Sequence, residues 1–267
     1  MSLLEAVYAL ARPHFRELRT STFAASRILR SSWWMMLVLC FVTPGFAAPP
    51  NSFDAAKPVA TKLWWDIGPI SFYCGCPYRK ATRQEKGIRK GDLWVIGSAC
   101  GYRARTTKTK KGKINARALR IEFEHIVPAD SLKTGFNCRT RKKCREIPGY
   151  KQAEGDLFNL VPAVGELNAD RSDKLHGVIP EEKREYGACD FEVSRKLEVA
   201  EPMETIRGDI ARVWLYMIER YGLKLPPDYV TTLNEWSVSD PVDQAERRRH
   251  AIIANEMGRK NPKVVPH

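Results

Sequence analysis

RIEFEHIVP (120–128) decides the reading of this chain. Leu119, Ile121 and Phe123 alternate with Arg120, Glu122 and Glu124, the period of two that marks a half-buried strand. Pro128 cannot continue a ladder, so the strand stops near His125. A carboxylate and an imidazole then stand side by side at a strand end. Either Glu124 is a solvated edge residue beside an ordinary loop histidine, or it is a hard oxygen ligand beside a proton acceptor. The rest of the chain has to choose.

Working outward, the amino-terminal stretch reads as an export signal. Arg27 and Arg30 precede an apolar run from Trp33 to Phe46, with small residues at Gly45, Ala47 and Ala48. The run is too short to hold a bilayer as a stable anchor, and cleavage is expected after Ala47. Residues 1–47 are therefore assigned to a signal peptide. Residues 48–62, bearing Pro and Ala and few large apolar side chains, are assigned to a linker, and 263–267 to a tail. Residues 63–262 are enough for one sizeable domain. Net charge is +13, and the five Arg and two Glu of residues 1–47 leave +10 for the exported part. That excess suits nucleic acid, anionic lipid or acidic polysaccharide, and does not choose among them.

Cys40 falls in the signal, which leaves Cys74, Cys76, Cys100, Cys138, Cys144 and Cys189. An even count in an exported chain reads as three disulfides, with fifteen connectivities open. Zinc is the weaker reading, because Cys74-Gly75-Cys76 is tighter than the usual gap between zinc ligands. TKTKKGK (107–113) reads as a solvated basic hairpin tip, a shape that can also reach a phosphate backbone. The loop from Cys138 to Cys144 carries Arg139, Arg141, Lys142 and Lys143, with Arg145 just beyond.

Next comes GDLFNLVPAVGELNADRS (155–172). Leu157, Leu160, Val161, Val164 and Leu167 fit one helical face, with Asp156 as N-cap and Pro162 in the first turn. Asn159 then stands at the helix entrance. A strand ending in Glu-His, a loop, and a helix carrying Asn outline a ββα metal site. Phosphodiester hydrolysis needs a cation on the phosphate, a base for water and a partner for the leaving oxygen. Glu124 and Asn159 would supply two hard oxygens to Mg²⁺ and His125 the base, while an Arg of the cysteine-bounded loop would neutralise developing charge.

The chain resembles the endonuclease I family of exported bacterial DNA nucleases. The matching stretches are FYCGC (72–76), CGY (100–102), EHIVPA (124–129), GDLFNLVPAVGELNADRS (155–172), EYGAC (185–189) and AEPMETIRGDIARVWLYM (200–217), in order across about residues 63–262. The resemblance implies His125 as general base, Glu124 and Asn159 as metal ligands, and Arg141 at the phosphate and leaving group, with Arg139 as its alternative. It also implies the pairs Cys76–Cys100, Cys138–Cys144 and Cys74–Cys189. The family usually has His before the metal-binding Asn, where this chain has Phe158; that reads as a change in the support around the metal.

Towards the carboxy terminus, Ile206, Ile210, Val213, Met217 and Tyr221 repeat at helical spacing and read as core, with Gly222 and Pro226-Pro227 ending that helix. A second helix is expected from Pro241 or Val242 to Met257. His176, His250 and His267 stand in no partner pattern. The expectation is an α+β single domain, disulfide-stapled, with a ββα-metal site of the His-Me finger type. It would act as a periplasmic or secreted, monomeric Mg²⁺-dependent endonuclease on DNA, with RNA as a second candidate substrate. A catalytically silent nucleic-acid-binding protein is the rival reading.

Overall fold

The computed structural model describes residues 48–84 and 86–265. The signal expected over residues 1–47 and the last two residues of the tail lie outside the described residues. Among the described residues, no helix is long and apolar enough to cross a membrane.

The stretch expected as a linker is instead most of a helix, α1 (Phe53–Ile67). Ser52 caps it by accepting from the Ala55 amide, and Ala56, Ala60, Leu63 and Trp64 form its buried stripe. Alanines can line a core-facing stripe where a helix packs closely, so few large apolar residues did not mean a linker. The Trp64 indole donates to the Leu160 carbonyl at 3.0 Å and fastens α1 to the centre of the fold.

A short hairpin follows, β1 (Tyr78–Lys80) antiparallel to β2 (Leu93–Val95), and Trp94 of β2 bridges to Arg120. The basic stretch 107–113 forms the expected hairpin tip: Lys108 bridges to Ile114, and Gly112 turns the chain at φ +73°. Strand β3 (Ile121–His125) runs antiparallel to β4 (Leu160–Val164), with Glu124 opposite Val161 and His125 opposite Leu160. Between them lie three short helices, α2 (Ala129–Phe136), α3 (Arg141–Cys144) and α4 (Pro148–Glu154).

Strand β4 corrects the helix expected from residue 157. Asp156 does cap, but it caps a single 3₁₀ turn at Leu157–Asn159, and the chain then extends. Every residue of β4 is buried. A strand covered on both faces shows no alternation and cannot be told from a buried helix by periodicity. Pro162 is tolerated because the N and C=O of one strand residue face the same way. Its carbonyl accepts from the Phe72 amide at 2.8 Å, so its missing N–H faces away from β3. Helix α5 (Gly165–Arg171) begins directly after β4. Gly165 is required there, since a Cβ would lie 2.8 Å from the Arg117 carbonyl oxygen and 2.9 Å from the Glu122 carboxylate.

Strands β5 (Leu175–His176), β6 (Phe191–Ser194) and β7 (Val199–Pro202) form a small mixed sheet in the order β5-β7-β6. Helix α6 (Arg207–Tyr221) buries Ile210, Trp214 and Met217 and ends at Gly222 in the left-handed region, as its spacing predicts. Pro227 then opens a further helix, α7 (Pro227–Ser239), and α8 (Gln244–Met257) follows. Buried Arg212 joins these elements, pairing with Glu246 of α8 and donating to the Ser237 and Asp240 carbonyls.

The three disulfides are Cys74–Cys189, Cys76–Cys100 and Cys138–Cys144, with Cα separations of 4.9, 5.0 and 5.3 Å. These are the expected pairs. The fold is α+β, disulfide-stapled and single-domain over its described residues.

Candidate active site

Glu124 and His125 end β3 and are both buried, at 3% and 9% exposure. The solvated-edge reading of Glu124 is thereby excluded. The His125 Nε2 lies 2.8 Å from the Glu154 carbonyl oxygen. A carbonyl only accepts, so Nε2 carries the proton and Nδ1 keeps its lone pair. The Phe53 ring packs against the imidazole, with centroids 4.6 Å apart. Burial is the main cause of a pKa lowered to about 4; the Glu154 carbonyl opposes it and the charge of Arg141 adds to it. The imidazole is therefore neutral at neutral pH.

The two oxygens of Glu124 are treated differently. Oε1 accepts from the Tyr73 hydroxyl at 3.2 Å and from Arg171 Nη1 at 3.0 Å. Oε2 is buried and takes no hydrogen bond from any described residue. Burial pushes the carboxyl pKa up, and the Arg171 guanidinium is the main influence against it. Arg171 is itself 1% exposed and also donates to the carbonyls of His125, Ile126 and Lys174. It straps the end of β3 and fixes the direction of the carboxylate.

Asn159 is not beside them in the cleft. Its Oδ1 accepts from the Val127 amide at 2.7 Å and its Nδ2 donates to the Val127 carbonyl at 3.0 Å, and the residue is fully buried. It closes a two-bond clasp on the turn that leaves β3, and no amide oxygen is left for a cation. The asparagine that does line the cleft is Asn168 of α5, three residues before Arg171 and hence on the same helix face. Its Nδ2 donates to Glu122 Oε2 at 3.0 Å, and its Oδ1 takes no hydrogen bond among the described residues. The cue was Pro162. If it delays the helix past itself, Asn168 becomes the asparagine inside the helix.

Arg141 stands at the start of α3, half-exposed, with Nε 2.8 Å from Glu154 Oε1; Arg145 takes the other oxygen. Cys138–Cys144 closes around it, and Thr140 caps its short helix. Arg139 does not line the cleft. Phe158 packs on Tyr216 and His250, with centroids 5.2 and 5.4 Å away, so it belongs to the core and not to any support around a metal.

Together Arg117, Glu124, His125, Arg141, Asn168 and Arg171 line one open cleft of about 450 Å³. A neighbouring groove carries Lys57, Arg89 and Arg120 and shares Arg117. Two hard oxygens without partners, Glu124 Oε2 and Asn168 Oδ1, thus face a space ringed by cations. That donor set suits Mg²⁺ or a similar hard cation and leaves most of its positions to water and phosphate. Another acidic cluster, Glu182, Asp190 and Glu192, is bridged by Arg184 and does not line this cleft.

The family model for Endonuclease I matches residues 57–266. The chain is 37% identical over 220 residues to Endonuclease-1 of Buchnera aphidicola subsp. Acyrthosiphon pisum, covering 81% of this chain and 82% of that protein. It is 33% identical over 232 residues to an extracellular deoxyribonuclease of Aeromonas hydrophila, covering 85% and 94%. A periplasmic deoxyribonuclease of the same species is 34% identical over 230 residues, covering 85% and 90%.

Proposed function

The chain belongs to the endonuclease I family and is a nuclease, and from that premise we propose that it is an exported endonuclease hydrolysing DNA with a hard divalent cation, Mg²⁺ first. The observation that carries this reading is the orphaned, buried Glu124 Oε2 beside a neutral His125 in a cation-lined cleft. Glu124 and Asn168 hold the ion in a ββα-metal site built from β3, β4 and α5. When bound, it offsets charge on the scissile phosphate and on the leaving oxygen.

The protein's own groups do the rest. His125 Nδ1 takes a proton from water as its oxygen attacks phosphorus, and the P–O bond to the leaving sugar oxygen breaks. The Nε2–H bond to Glu154 keeps the ring in the accepting tautomer throughout. Arg141, steered by Glu154, donates to the phosphate where charge develops. Recognition through Arg117, Arg120 and the basic hairpin is directed at phosphates, so sequence preference is weak and RNA is a further candidate substrate. Residues 1–47 direct export, and the named relatives' extracellular and periplasmic locations agree with a periplasmic or secreted product.

Nicking of supercoiled plasmid by the mature protein tests the reading. Cleavage should need Mg²⁺, stop with chelator and return when the ion is restored. Full cleavage in excess chelator would overturn it.

A further inference from the structure

We propose that a buried hydrogen-bond chain, Trp214 to His176 to Tyr73, positions Glu124 and commits it to hold a cation through one oxygen, Oε2. The proposal rests on the reading above that Glu124 is a metal ligand.

The polarity of the chain is forced from both ends. An indole N–H can only donate, and Trp214 Nε1 lies 3.3 Å from His176 Nδ1. His176 Nδ1 therefore accepts, and the neutral ring carries its proton on Nε2. That nitrogen lies 3.1 Å from the Tyr73 hydroxyl oxygen and donates to it. The hydroxyl proton is then free to go to Glu124 Oε1, 3.2 Å away, and an ionised carboxylate can only accept. Each link fixes the direction of the next.

The three residues come from distant parts of the sequence: Tyr73 beside Cys74, His176 from β5 and Trp214 from α6. All are at most 1% exposed. Tyr73 is held by the Cys74–Cys189 disulfide next to it and by the Phe191 ring at 4.5 Å. A core needing only bulk would use apolar side chains here, because buried polar groups are costly unless hydrogen-bonded. This core spends three polar groups on one carboxylate oxygen.

Arg171 alone would leave Glu124 free to turn about its terminal torsion and share its guanidinium between both oxygens. A second donor on Oε1 from a different direction removes that freedom. Oε1 then carries two donors and Oε2 none, so the cation is left the second oxygen. Groups that hydrogen-bond a ligating side chain typically change metal affinity by about 10–100-fold.

The test is Mn²⁺ binding to the mature protein by calorimetry without DNA, with thermal melts as a fold control. Tyr73→Phe removes one oxygen and should weaken Mn²⁺ binding by about 10–100-fold. His176→Leu should weaken it as well, and His176→Gln, whose amide can still donate to Tyr73, should recover most of the loss. A merely structural role would lower the melting temperature of all three without that order in affinity. Wild-type affinity in both Tyr73→Phe and His176→Leu, with binding lost in Glu124→Gln, would overturn the chain and leave the metal site standing. Wild-type affinity in Glu124→Gln itself would remove the parent reading and this proposal together. If His176→Leu does not fold, the single-oxygen change at Tyr73 decides alone.

Discussion

The His125 side chain donates from Nε2 to the main-chain carbonyl of Glu154, 29 residues further along the chain and 2.8 Å away. The same residue's carboxylate holds Arg141 and Arg145. Glu154 therefore sets both the tautomer of the base and the place of the cation that faces it. His125→Ala should lower the single-turnover rate on plasmid by about 10²–10⁴, the span for a positioned base. DNA affinity in chelator should stay near wild type, because phosphate contacts come from other side chains. Undiminished cleavage by this variant would end the assignment.

The two asparagines should separate cleanly. Asn168→Ala removes an amide oxygen that faces the cleft, so it should raise the Mg²⁺ concentration for half-maximal activity and leave the melting temperature nearly unchanged. Asn159→Ala leaves the Val127 N–H and C=O buried without their partner, at about 1–3 kcal/mol for each unsatisfied group. Its loss should appear in urea unfolding and not as a specific shift in metal dependence. The reverse pattern would restore Asn159 as the ligand.

Why one asparagine could be mistaken for the other is a matter of burial. Strand β3 was legible because one of its faces alternates, and the six cysteines and the hairpin at Gly112 read correctly from local chemistry. Strand β4 is enclosed on both sides, so Leu157 to Leu167 satisfy a helical stripe as well as a strand. Pro226-Pro227 reads as the end of α6, yet Pro227 suits the first turn of α7, where an N–H is not needed. Arg171 left no local trace at all. Its partners Glu124, His125 and Ile126 lie 45 to 47 residues away, and only the fold brings them together.

Salt should act on binding through the exposed lysines. Lys108, Lys110 and Lys111 sit at the tip of the basic hairpin, and none has a salt bridge among the described residues. Replacing all three by Ala should weaken DNA binding across sequences and flatten the log–log salt slope by roughly 0.9 for each phosphate that is no longer neutralised. The cleavage pattern on a fixed duplex should not change. An unaltered slope would show that the hairpin stays clear of the backbone.

His176 should give the metal-free fold a distinct acid sensitivity. It is fully buried, and burial, helped by the nearby charge of Arg171, holds its pKa well below the ordinary 6.5. Above pH 6.5 the imidazole is neutral in folded and unfolded chains alike, and stability does not depend on its titration. Below 6.5 the unfolded chain binds a proton that the folded chain refuses, so stability falls with falling pH, by up to about 1.4 kcal/mol per pH unit for one group. His125, also lowered, acts in the same direction down to about pH 4. The contribution of His176 is isolated by comparing wild type with His176→Gln in chelator, because the carboxylates and His125 are common to both. Urea unfolding at pH 7, 6 and 5 should show the stability of wild type relative to the variant shrinking as pH drops. The acid branch follows from the chain at Trp214 as well, since a protonated Nδ1 could no longer accept from the indole. A difference that stayed constant from pH 7 to pH 5 would mean that His176 takes up a proton in the folded protein as readily as in the unfolded one.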